Sequence, residues 1–140
     1  MDWVEDRARR EKQLLMNRDA FWDQLCTELD KAATSFNHYY RTGGHAEFTK
    51  YDDNRAEVRY ATTRTRDRTL KVRLFPDGTV DAEVVTIGGK SNVRLSFALD
   101  AKDEAKLVLD GKDVTYEQAS RALLEPVLFE DPVELNLDVA

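Results

Sequence analysis

A short glycine-rich run is the first group of residues whose types could do chemistry. Gly88–Ser91, with the sequence Gly-Gly-Lys-Ser, matches the end of a phosphate-binding loop, in which backbone amides and a lysine hold the phosphate. The full loop needs another glycine five positions before Gly89, where this chain has Val84. It also needs a helix to follow, whereas residues 93–99 alternate in polarity as a strand does. We therefore predict a hairpin turn at this run.

A basic cluster is the second candidate, and it consists of Arg64, Arg66 and Arg68. In a continuous extended chain these arginines would share the core-facing side with Val58 and Val72. Because burying three unpaired guanidinium groups is prohibitive, we expect the chain to turn here and expose all three. The exposed cluster is then either a solvated loop or a binding site for an anionic ligand.

The two histidines, His38 and His45, are the third candidate because histidine is a frequent metal ligand. Glu47 is the nearest third ligand, but the three residues do not have the spacing of a zinc site or of a facial triad. We predict no metal and no cofactor.

The acidic pair Asp81 and Glu83 has the composition of an acid–base pair. These carboxylates alternate with apolar residues, and Lys71 and Arg73 should face them across a Pro-Asp-Gly turn. Because cations beside them would keep both carboxylates ionised, we assign no catalytic residue to this chain.

Composition narrows the class of protein. The 140 residues are 41% hydrophobic and carry a net charge of -6, and residues 100–140 hold 4 basic and 11 acidic residues. This balance makes nucleic acid an unexpected partner. Cys26 is the only cysteine, so no intramolecular disulfide is possible, and its apolar neighbours predict a buried thiol. The first residues lack the pattern of a signal peptide and no apolar run approaches about 20 residues, so we expect a cytoplasmic location and no membrane partner.

The first element that must position these residues is a long amphipathic helix. Apolar residues recur at helical spacing from Leu15 to Phe36, no glycine or proline occurs between residues 2 and 41, and Gly43-Gly44 is a plausible stop. Forty helical residues would span ~60 Å, whereas a compact chain of this length is about 35–40 Å across. We therefore expect a break at Asn17 or Asp19, or an overhanging helical arm formed by residues 1–16.

Strands and a second helix follow. Polarity alternates in several short segments between residues 46 and 109, and Pro76–Gly78 is a strong hairpin signal. Thr115 and Gln118 have capping-box spacing and predict a second helix, which Pro126 should end or kink at Glu125. Residues 133–139 alternate again and are a possible edge strand.

These elements predict an α+β fold in a single domain covering residues 1–140. Strands with one apolar and one polar face must be covered on one side by helices. The predicted architecture is a two-layer sandwich, with a long N-terminal helix packed on an antiparallel sheet of five to seven strands and a short helix near the C-terminus.

Two functional hypotheses follow. The first is a non-enzymatic protein-interaction domain that forms a homodimer, with candidate contact residues in the arm and in the C-terminal segment: Trp3, Val133, Leu135 and Leu137. The alternative is a domain that binds a small anionic ligand, or an enzyme with an unrecognised site. That ligand would occupy a cavity between helix and sheet near Tyr39, Tyr40 and His45.

Overall fold

A computed structural model describes residues 2–40, 44–61, 68–86 and 88–129 of the chain. Within these ranges there are three helices and seven strands. The helices are α1 (Trp3–Met16), α2 (Arg18–Tyr39) and α3 (Tyr116–Leu128). The strands are β1 (His45–Asp52), β2 (Arg55–Ala61), β3 (Arg68–Leu74), β4 (Thr79–Thr86), β5 (Gly89–Leu99), β6 (Ala105–Leu109) and β7 (Lys112–Val114).

The seven strands form one antiparallel sheet in chain order, from β1 at one edge to β7 at the other. In the described ranges, short turns join β1 to β2, β3 to β4 and β6 to β7, as alternating polarity and turn residues predict. On the polar face, Arg73 pairs with Asp81, and Asp81 pairs on its other side with Arg94. Lys71 pairs with Glu83. These are the predicted cross-strand pairs of opposite charge, and they help to determine the register.

The helices cover the apolar face of the sheet. α2 packs on β1 and β2, and α3 packs on β2, β3 and β4 beside α2. The buried side chains form one cluster, in which Trp22, Leu25 and Leu29 of α2 meet Leu70 and Leu95 of the sheet. The predicted α+β architecture, with helices layered on an antiparallel sheet, is confirmed.

The long helical segment breaks at Asn17, one of the two expected positions. The Asn17 side chain donates from Nδ2 to the Gln13 carbonyl at 2.8 Å, so it terminates α1 rather than capping α2. At the other end of α1, the Asp2 side chain accepts from the Glu5 N–H at 2.7 Å and so caps the helix. None of the residues of α1 is buried.

Gly44 lies where the chain passes from α2 to the sheet. A Cβ at this position would collide with the end of the Tyr60 side chain, so a larger residue here would have to displace that ring. The hairpin between β3 and β4 depends on a glycine, because Gly78 has a φ of +89°. There the Asp77 carboxylate accepts from the backbone and the hydroxyl of Thr79, which lowers the pKa of Asp77.

Two details near the C-terminus differ from expectation. α3 begins with the predicted capping box of Thr115 and Gln118, but it does not end at Glu125. Pro126 lies inside the helix, and burial of Val127 and Leu128 in the core holds the last turn despite the missing N–H. The short strand β7 was not predicted, because three residues are too few to show a period.

Candidate functional site

A mainly apolar groove lies between α2 and α3 and is here called the α2–α3 groove. Its volume is about 380 Å³. Phe36, Leu124 and Leu128 are buried and form its floor. Ala32 and Ser35 of α2, one turn apart, line one wall. Both helices pack their most apolar face on the sheet, and they contact each other only along the sides of those faces. The groove is the space left between them.

Aromatic rings surround one end of the groove. Phe36 stacks on Tyr40 with 4.8 Å between ring centroids, and Phe129 lies 5.5 Å from Phe36 and 5.4 Å from Tyr40. Tyr39 is 77% exposed, Tyr40 50% and Phe129 36%. Such a contiguous exposed aromatic surface is typical of a contact surface for another molecule.

The outer rim of the groove is charged. Glu117, Arg121 and Glu125 follow one another at intervals of one helical turn on α3. Arg121 forms an exposed ion pair with Glu125 at 3.3 Å, which is worth little in water. The rim therefore presents two carboxylates and one guanidinium group around an apolar floor.

This groove corrects one expectation about the site. We expected a cavity between helix and sheet that involved Tyr39, Tyr40 and His45. Tyr39 and Tyr40 do line a groove, but it lies between two helices, and His45 is not part of its lining. The sequence does not give the orientation in which α3 packs, so it could not indicate whether a cavity would lie between helix and sheet or between the two helices.

Arg68 is a second correction. It is only 3% exposed, so the prediction that it lies on an exposed turn is wrong. Arg68 is the first residue of β3 and faces the core on the same side as Leu70, with its guanidinium carbon 4.5 Å from the centre of the Tyr60 ring. This cation–π contact offsets part of the desolvation of the charge. Nε and Nη1 of Arg68 are buried without a hydrogen-bond partner in the described structure.

The remaining residues of both predicted sites lie outside the described residues. Arg64 and Arg66 fall in the range 62–67, and Val133, Leu135 and Leu137 fall in the range 130–140. The possible edge strand over residues 133–139 lies in the same range. Their assignments stay predictions.

Trp3, the remaining predicted contact residue, is 76% exposed near the start of α1. The middle of this helix is held by charged contacts. Arg9 and Arg10 both pair with Asp103, at 3.2 and 3.0 Å, and Arg10 also donates to the Asp100 carbonyl at 2.7 Å. The helix is thus anchored near its centre, and Trp3 in its first turn lines a hollow between α1 and residues 97–99 of β5.

The structure also describes the glycine-rich run, the cysteine and the potential metal ligands considered in the sequence. Gly88–Ser91 belongs to the turn and strand of a hairpin, in which Gly89 pairs with Thr86 and strand β5 follows in place of a helix. Cys26 is buried, and this burial raises the pKa of its thiol to about 11, so the thiol is protonated at neutral pH. Among the described residues, no group of three or more histidine, cysteine or acidic side chains could hold a metal ion.

Two functional features escaped sequence reasoning. The α2–α3 groove required the positions of two helices that are distant in the sequence, although the exposed pair Tyr39-Tyr40 was a visible signal. The second feature is Asn37, whose side chain bonds to the backbone of Ala46 at both its N–H and its carbonyl. A lone asparagine near a helix end does not indicate such a role.

In comparisons with known proteins, no family model, curated protein or solved structure matches the chain. In the described ranges, no helix is both long enough and apolar enough to cross a membrane.

Proposed function

We propose that this protein is a non-enzymatic protein-interaction domain that associates with a second copy of itself. The observation that carries the proposal is the α2–α3 groove, with its exposed ring of Tyr39, Tyr40 and Phe129. Water-exposed aromatic surface of this kind is stabilised by burial against a partner, and tyrosine is enriched at interfaces.

The occupant of the groove is α1 of the second copy. This helix has no buried residue in its own chain, and it begins with Trp3 and Val4, which are 76% and 57% exposed. Tryptophan is the residue most suited to fill an apolar groove at the centre of an interface.

Charge supports the same pairing. Arg7 lies one turn after Trp3 on the same side of α1, and its ion pair with Glu11 is exposed and therefore weak. When Trp3 enters the groove, Arg7 comes to the rim where Glu117 and Glu125 lie. Mutual exchange of the two α1 helices gives a closed twofold dimer, the commonest symmetry of oligomers.

The experiment is light scattering coupled to size-exclusion chromatography over a range of concentrations. We expect the unmodified chain to be a dimer, and Trp3→Ala and Tyr39→Ala each to weaken the dimer by at least about 30-fold, the effect of losing a hot-spot side chain. Met16→Ala is the matched control, because Met16 is equally exposed at 75% but lies at the other end of α1. A chain that stays monomeric at all concentrations, or a dimer insensitive to both variants, would overturn the proposal.

A cytoplasmic location belongs to the same proposal. Its support is Cys26, a single buried thiol that is compatible with a reducing compartment. Fractionation of cells expressing the chain with a small epitope tag tests it, and recovery outside the cytoplasmic fraction would contradict it.

Binding of a small anion is the second candidate, and Arg68 is the observation that favours it. A buried guanidinium group in which two nitrogens have no hydrogen-bond partner among the described residues gains most from a negatively charged acceptor. We expect phosphate or citrate to raise the melting temperature of the unmodified chain and not that of Arg68→Met. Arg73→Met is the control, because Arg73 lies on the exposed polar face. No thermal shift in the unmodified chain would exclude this candidate.

A further inference from the structure

The outer edge of the sheet at β1 is a second candidate binding surface, because an edge strand has backbone groups that no neighbouring strand pairs. Among the described residues, β1 is eight residues long and pairs only with β2, whereas the opposite edge strand, β7, has three residues. A long edge strand presents a row of backbone donors and acceptors that can pair with another extended chain.

The direction of these backbone groups follows from Asn37. Its amide donates to the Ala46 carbonyl at 2.7 Å and accepts from the Ala46 N–H at 2.8 Å, so both groups of Ala46 point away from β2. The register between β1 and β2 is unbroken from His45 to Lys50. Because the direction alternates along an antiparallel strand, the backbone groups of Phe48 and Lys50 also point away from β2.

We call the outward backbone groups of Ala46, Phe48 and Lys50 the β1 edge. Asn37 occupies its first position in the way that the backbone of an added strand would. Within the described part of the chain, hydrogen bonds reach the β1 edge at Ala46 only. The next two positions can therefore accept a partner strand without breaking a hydrogen bond that the described residues make.

The surroundings of the β1 edge are acidic. Asp23 of α2 bonds to Lys50, and Asn37 of α2 bonds to Ala46. The α2 residues that follow one another from Asp23 to Asn37 at intervals of one helical turn therefore border the β1 edge, and we call them the acidic stripe of α2. This stripe includes the exposed Asp30. Glu47 points to the other face of β1, where Arg59 is its cross-strand neighbour. The strand ends at the acidic pair Asp52-Asp53, of which Asp52 is paired with Arg55 at 2.9 Å, so the carboxylates around the edge still outnumber the cations. The one cation on β1 is Lys50, whose ammonium is already paired with Asp23 at 2.8 Å.

We propose that the β1 edge binds an extended, lysine- or arginine-rich segment of a partner protein by adding it to the sheet as an eighth strand. Backbone groups of the segment pair with Phe48 and Lys50, and its alternate side chains meet the acidic stripe of α2 on one face and Glu47 on the other. This goes beyond the self-association proposed above, because it uses a different surface and a different partner.

A second copy of the chain is a poor occupant of this edge. In a twofold pairing centred on Phe48, Lys50 would lie opposite Ala46 of the other copy, whose backbone groups Asn37 already holds. The two acidic stripes would also approach each other, and like charges in apposition are unfavourable.

The test uses two synthetic peptides of seven residues, with lysine at every second position in one and glutamate in the other, and valine or threonine between. Fluorescence anisotropy measures their binding, and hydrogen exchange followed by NMR measures protection of the Phe48 and Lys50 amides. We expect the lysine peptide to bind at least about tenfold more tightly than the glutamate peptide and to protect both amides.

Two variants separate strand addition from simple charge attraction. Lys50→Pro and Lys50→Ala both remove the ammonium, but only proline removes the outward N–H, so we expect Lys50→Pro to bind at least about tenfold more weakly than Lys50→Ala. Asp30→Lys leaves the backbone intact and should weaken the lysine peptide several-fold, which keeps the test decisive if the proline variant does not fold. Absence of binding by the lysine peptide, equal binding of both peptides, or unprotected amides would overturn the proposal.

Discussion

Asn37→Ala tests the link between α2 and the sheet edge on which the β1 inference rests. In the native chain the Asn37 amide makes two part-buried hydrogen bonds with Ala46, of 2.7 and 2.8 Å. Alanine removes both bonds at once and leaves the Ala46 N–H and carbonyl without their side-chain partner. The substitution changes no buried apolar contact of the core, which lies on another side of α2.

The expected loss follows from these two bonds. A hydrogen bond of this kind contributes about 0.5–1.5 kcal/mol net, so two bonds contribute about 1–3 kcal/mol. Water can reach an edge strand and replace part of this, and alanine is favoured over asparagine in a helix by about 0.5 kcal/mol. We therefore expect the free energy of unfolding to fall by about 1–2 kcal/mol.

Urea unfolding followed by tryptophan fluorescence measures this loss, since Trp22 is buried in the core. Asn37→Asp is the matched control, because its carboxylate can accept from the Ala46 N–H but cannot donate to the carbonyl. We expect Asn37→Asp to lose at least as much stability as Asn37→Ala at pH 7, and to approach the unmodified chain as the pH falls towards about 4, where the carboxyl regains a proton to donate. If Asn37→Ala unfolds within about 0.3 kcal/mol of the unmodified chain, the two bonds do not hold β1 and the reasoning is refuted.

Two further predictions concern titratable groups. Because burial raises the pKa of Cys26 from 9.0 to about 11, alkylation by iodoacetamide at pH 9 should be roughly 50-fold slower in the native chain than in urea; equal rates would contradict the burial. Asp100 accepts from the N–H groups of Lys102 and Glu104, and these bonds lower its pKa from the ordinary 3.8. Its contribution to stability is therefore present above that value and lost as the pH falls through the lowered pKa, so the destabilisation by Asp100→Asn should shrink in acid. A difference that stays constant between neutral pH and about pH 2.5 would show that the carboxylate charge plays no part.

Much of the fold could be predicted from the sequence because each signal is local. Alternation of polarity identified the strands, the turn at Pro76–Gly78 was visible in its residues, and the capping box at Thr115 located the start of α3. The end of α3 could not be predicted, since the force that carries the helix past Pro126 is the burial of Val127 and Leu128 against a sheet that is distant in the sequence.

The candidate site was less predictable than the fold. Trp3 was named as a contact residue in the N-terminal arm; it is 76% exposed, and its role in contacts stays a prediction. Arg68 was predicted to be exposed, because alternation along the strand would otherwise bury a guanidinium group with no partner. The structure buries it against the Tyr60 ring of the neighbouring strand, a partner that the sequence could not show. A cross-strand neighbour is known only once the register between the two strands is known.

By itself the sequence determined which apolar residues point inward, because the spacing of apolar side chains along a helix or a strand is a property of consecutive residues. It also determined that the helical segment of the N-terminal third must break or overhang, since its length exceeds the diameter of a compact chain. Only the tertiary structure decided where surfaces are left without a partner. The α2–α3 groove depends on the separation of two helices, and the β1 edge depends on which strand has one neighbour and which side chain already covers it. The groove and the edge each depend on how segments that are distant in the chain lie next to one another. That arrangement is determined by packing and not by local conformational preference.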